Sequence, residues 1–107
     1  MSPLVVLLKD PDPEVRAQAA RTLGDPAFAP ATDALVEALV DPSLRVRYHA
    51  AMTLGSIGDP SAIPYLVAML AENDDRDRWL RQAGVVALGR ILLTSRPISV
   101  ACLLTKL

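Results

Sequence analysis

Few side chains in this chain are placed to do chemistry. His49 is the only histidine and Cys102 the only cysteine, so a histidine pair and an internal disulfide are excluded. No serine and aspartate stand around His49 in a spacing that would make a nucleophile, base and orienting acid. Cys102 sits in an apolar run with nothing basic close by, which describes a small hydrophobe rather than an activated thiolate. Glu72, Asp74, Asp75 and Asp77 form an acidic stretch that invites comparison with a calcium loop. The stretch lacks the glycine at the sharp turn and the terminal glutamate, and Arg76 and Arg78 neutralise it. A solvated loop ending in a helix cap is the expectation, with no catalytic residue, no cofactor and no metal.

Composition narrows the class further. The 107 residues are 51% hydrophobic but only 4% aromatic, so Leu, Val and Ala carry the apolar content, as in packed helices. Mean hydropathy of +0.30 is high for a short chain and points to apolar surface meant for a neighbour. A net charge of −1 announces neither a polyanion-binding surface nor an acidic tail. The first residues lack a basic stretch and a cleavage site, and the apolar runs 85–93 and 98–107 fall well short of the ~20 residues that span a bilayer. No membrane contact is expected, and the cytoplasm is the expected location.

A repeat organises the chain. Residues 4–24 laid over 35–55 give 12 identities in 21 positions, with no gap. Among them are Leu8/Leu39, Asp10-Pro11/Asp41-Pro42, Val15-Arg16/Val46-Arg47 and Thr22-Leu23-Gly24/Thr53-Leu54-Gly55. Leu80-Arg81, Gly84 and Leu88-Gly89 continue the pattern after an insertion in the acidic stretch, and Pro97–Leu103 faintly echoes Pro64–Leu70. The units fall at approximately 1–31, 32–58 and 59–93, with a half-unit at 94–107, all in one domain.

Each unit predicts two helices. Val15, Ala19 and Leu23 recur at helical spacing in the second helix, and Asp12, Ser43 and Asp77 stand at its N-cap. Pro13 suits a first helical position, and Gly24, Gly55 and Gly89 are placed to end the second helices in left-handed backbone. Neither helix buries its apolar stripe alone, so the units must stack.

The run Leu-x-x-x-Leu-x-Asp-Pro-x-x-x-Val-Arg-x-x-Ala-Ala-x-Thr-Leu-Gly, followed by Gly58-Asp59-Pro60-Ser61-Ala62-Ile63-Pro64-Tyr65-Leu66, resembles HEAT repeats. More narrowly it is similar to the bacterial HEAT-like repeats of the phycobilisome-lyase type. The resemblance implies an all-α, right-handed α-α superhelix, a HEAT-like solenoid of about three and a half helix pairs and seven helices. It also implies an Asp–Arg ladder between successive units, onto which Asp10, Asp41, Arg16, Arg47 and Arg81 map. Arg16 lies at the edge of the apolar stripe, where an unpaired guanidinium is costly. The ladder therefore explains the arginine row better than an anion-binding surface does, and nucleic acid is not an expected partner.

Second helices usually line the concave face of HEAT solenoids, so their outward positions are where the resemblance places a partner. Arg45, Tyr48, His49, Met52, Trp79 and Gln82 gather there. Aromatic, Met and Arg enrichment marks protein-interface hot spots. The expected function is a non-catalytic scaffold that binds another protein through this face. The alternatives are a non-catalytic segment of a larger enzyme, bilin-lyase-like or of bacterial dehydrogenase type, and less favourably a nucleic-acid-binding module. Apolar terminal helices without polar caps add the expectation that the chain belongs to a longer array or associates end to end.

Overall fold

The computed structural model describes residues 3–24, 31–73 and 76–95. They form six α-helices and one 3-10 turn, with no strand among the described residues. In chain order the helices are α1 (Pro3–Leu7), α2 (Pro13–Thr22), α3 (Thr32–Ala38), α4 (Leu44–Ile57), α5 (Ile63–Asn73) and α6 (Arg78–Ser95); the 3-10 turn, Pro60–Ala62, leads into α5. The expected seventh helix and Cys102 lie outside the described residues.

Asp-Pro writes the turns within the first two units and the entry to the third. Asp10 accepts the Asp12 N–H at 2.9 Å, Asp41 the Ser43 N–H at 2.8 Å, and Asp59 the Ser61 N–H at 2.9 Å. In each case the carboxylate folds back on the residue two further on while proline fixes the backbone between. Asp12 then caps α2 by accepting the Glu14 N–H, and Asp77 caps α6 by accepting the Leu80 N–H. Ser43 has the extended backbone of an N-cap, but its hydroxyl makes no capping bond. Asn73 bridges the ends of the acidic stretch: its amide donates to the Asp77 carbonyl at 3.0 Å and its oxygen accepts the Asp77 N–H at 3.2 Å.

The glycines depart from expectation. Gly24, Gly55 and Gly89 are not left-handed caps; Gly58 alone has positive φ, 78°, and its N–H closes α4 on the Leu54 carbonyl. Helix α4 continues through Gly55, and α6 through Gly89. In α4 the stop is Gly58, followed at once by Asp59-Pro60, whose proline drives Asp59 out of helical backbone. Asp59-Pro60 comes three residues later, relative to the glycine, than Asp25-Pro26 does, so the helix ends later too. Gly55 serves instead as a crossing point. A Cβ there would lie 2.7 Å from the Ala87 Cα, so only glycine lets α4 and α6 meet at this depth.

The helices pair α1 with α2, α3 with α4, and α5 with α6, and the second helices pack in the order α2, α4, α6. Between the layers lies one core: Leu23, Leu35, Leu54, Leu66, Ile91 and Val46 are its largest fully buried side chains, interleaved with Ala19, Ala20, Ala50, Ala51 and Ala87. Across units, the Thr53 hydroxyl donates to the Ala20 carbonyl at 2.6 Å in the buried interior. The Gly24 N–H turns to Arg21 instead, so this hydroxyl serves a carbonyl at the frayed end of α2. No helix among the described residues is long and apolar enough to cross a membrane.

Candidate functional surface

The outward positions of α2, α4 and α6 form a surface with two adjoining recesses. One, of about 400 Å³, is lined by Leu44, Arg45, Tyr48, His49, Asp77 and Trp79. The other, of about 320 Å³, is lined by Arg21, Gly24, Tyr48, His49, Met52, Thr53 and Ser56. Tyr48 and His49 belong to both and form the ridge between them. Their rings meet edge to face, with centroids 5.3 Å apart and planes at 82°. Trp79 is 66% exposed although it is the only tryptophan in the chain.

The charges around this ridge are arranged by the repeat. Arg45 reaches Glu14 on α2 at 3.0 Å, an exposed pair that holds the Arg45 side chain along the surface. His49 is half-buried; burial, and then the nearby positive charges of Arg45 and Arg21, push its pKa below the ordinary histidine value, outweighing Glu14. Among the described residues no set of His, Cys, Asp and Glu is grouped closely enough to hold a metal ion.

Five of the six partner-facing residues expected from the sequence thus meet along one surface. Gln82 is exposed on α6 but lines neither recess. Leu44 and Asp77, which border the Trp79 recess, were missed by the sequence reading. Their signal was adjacency: they open α4 and cap α6, beside Arg45 and one turn from Trp79.

The ladder residues behave unequally. Arg16 grips Asp41 of the next unit with Nε at 2.9 Å and Nη2 at 3.2 Å, while Nη1 donates to the Asp10 and Pro11 carbonyls. Both side chains are largely buried, 15% and 11% exposed. The Asp10 carboxylate holds its own turn, accepting the Asp12 N–H. Arg47 donates to the Asp41 carbonyl at 3.0 Å but pairs with no carboxylate among the described residues. Arg81 stands exposed on α6.

No curated protein matches the chain. A family profile described as HEAT repeats matches residues 1–89, which takes in the first five helices and α6 as far as Gly89. With Asp-Pro turns, paired helices and a core shared between units, the chain belongs to the HEAT repeat family.

Proposed function

We propose that this protein is a non-catalytic scaffold that binds a partner protein on the surface formed by α2, α4 and α6, with Arg45, Tyr48, His49, Met52 and Trp79 as contacts and Gln82 at the edge. HEAT repeats in general mediate protein–protein interaction. The observation that carries the choice of surface is Trp79, a large aromatic left 66% exposed beside an apolar recess and the half-buried Tyr48. Exposed aromatics bordered by arginine are the residues on which binding energy concentrates. The test is affinity capture with wild type and with Tyr48→Ala/Trp79→Ala in parallel. A specific protein retained by wild type and lost by the double variant supports the surface. A specific protein retained equally by both places the interface elsewhere.

A second surface favours self-association. Val85, Leu92 and Leu93 are exposed on α6, and a Cβ at Gly89 would meet nothing within 4 Å among the described residues. Gly55 occupies the same repeat position in α4 and is covered by Ala87 of α6. Stacking of another helical layer on this side of α6, from a second copy, would cover the apolar residues. Sedimentation should then show an assembly that grows with concentration and is reduced by Leu92→Lys/Leu93→Lys. A monomer at every concentration would refute it.

A further inference from the structure

The second helices meet along two rows of positions that recur in every unit. One row faces the next second helix: Ala20 and Gly24 in α2, Ala51 and Gly55 in α4, Val85 and Gly89 in α6. The other faces the previous one: Gln18 and Thr22 in α2, His49 and Thr53 in α4, Ala83 and Ala87 in α6. The contacts fix this assignment. Thr53 donates to the Ala20 carbonyl, and its methyl lies 3.5 Å from a Cβ built at Gly24. Ala87 closes on Gly55 in the same way.

Inside the stack both rows are covered, and Ala20, Ala51, Thr53, Ala83 and Ala87 are all buried. At the two ends the same rows are bare among the described residues. Val85 is 57% exposed, and Gly89 meets nothing where Gly55 meets Ala87. Gln18 and Thr22 are exposed and line a recess of about 220 Å³ with Leu7, Val15 and Ala19. The Thr22 hydroxyl already donates to the Gln18 carbonyl at 2.8 Å, so covering it strands no donor. In sequence, Pro97–Leu103 echoes a first helix, whereas the residue over Gly55 comes from a second helix.

We infer that copies of this chain stack head to tail, with α2 of one copy laid on α6 of another in the place of the next second helix. The inference rests on the self-association proposed above and names the surface that the second copy brings. Its register follows from the internal pairs: Gly24 takes Thr53, Gly55 takes Ala87, and Gly89 takes Thr22 of the second copy. A glycine facing a threonine is therefore a contact the molecule already makes once. Leu92 and Leu93 lie one turn beyond Gly89 on α6 and are covered by the same helix. An interface between two unlike surfaces leaves one of each unused on a dimer, so assembly continues past two copies.

The test is sedimentation of the full chain and of two double variants at exposed positions, Leu92→Lys/Leu93→Lys on α6 and Gln18→Lys/Thr22→Lys on α2. Far-UV circular dichroism matching that of wild type shows that the variants are folded. Wild type should grow past a dimer as concentration rises, and each variant alone should stay monomeric where wild type assembles. An equimolar mixture of the variants should regain assembly and stop at a dimer, because one intact α6 surface and one intact α2 surface remain. A mixture that stays monomeric overturns the head-to-tail stack. An α2 variant that still assembles, while the α6 variant does not, also overturns it but leaves self-association through α6 standing. Wild type that is monomeric at every concentration overturns both.

Discussion

At the scale of single residues, Arg16 and Arg47 show how identical sequence positions acquire different energetic roles. Removing Arg16 strands the largely buried Asp41 carboxylate, so Arg16→Ala should cost about 3 kcal/mol in urea unfolding. Arg47→Ala removes a hydrogen bond to a carbonyl and should cost about 1 kcal/mol. Equal losses would mean that the ion pair adds nothing to the stack. His49 gives a pH signature. Its pKa is lowered in the folded chain, so as pH falls below the unfolded value of about 6.5 the unfolded chain takes up the proton first and stability drops. Above that pH both states are neutral and the contribution vanishes. The Tm of wild type should therefore fall relative to His49→Gln between pH 7.5 and 5.5; parallel Tm curves would contradict this. The repeat made Arg16 and Asp41 legible as partners in the sequence. That Arg47 pairs with no carboxylate among the described residues was not legible, because Glu72 keeps the right charge and position and only the packing shows it exposed.

At the scale of elements, glycine and Asp-Pro act together as a stop signal in α4, where Gly58 closes the helix in left-handed backbone directly before Asp59-Pro60. The three aspartates fold their carboxylates onto the next turn, and α4 runs on past Gly55 to Gly58-Asp59-Pro60. Gly55 and Gly89 looked like terminators because glycine serves both left-handed caps and close helix crossings, and spacing alone does not separate the two uses. Their substitution by alanine should separate them. Gly55→Ala drives a Cβ against the Ala87 backbone and should destabilise by about 1–3 kcal/mol. Gly89→Ala meets open space in a helix interior and should stabilise by about 0.5–1 kcal/mol. Thermal melts of the two variants shifting in the same direction would contradict these roles.

At the scale of the whole molecule, a short helical stack shares one core between neighbouring pairs. Leu54 is fully buried at its centre, and Leu54→Ala should cost about 2–5 kcal/mol and loosen the flanking pairs along with its own. The two-helix unit and its period were written in the sequence, because each stripe of Val, Ala and Leu must be covered by the next copy of itself. The partner surface was legible in part: outward positions of successive second helices align by the same period, which brought Arg45, Tyr48 and Trp79 together. Its recesses were not legible, since their depth depends on Leu44, Thr53 and Asp77 at the edges of the rows. Trp79, the single tryptophan, reports directly on that surface. The decisive measurement is its fluorescence, with and without acrylamide quencher, in the free chain and in complex with the captured partner. A proposed contact predicts a blue-shifted emission and reduced quenching in the complex. Emission and quenching unchanged while the complex forms would contradict binding through α2, α4 and α6.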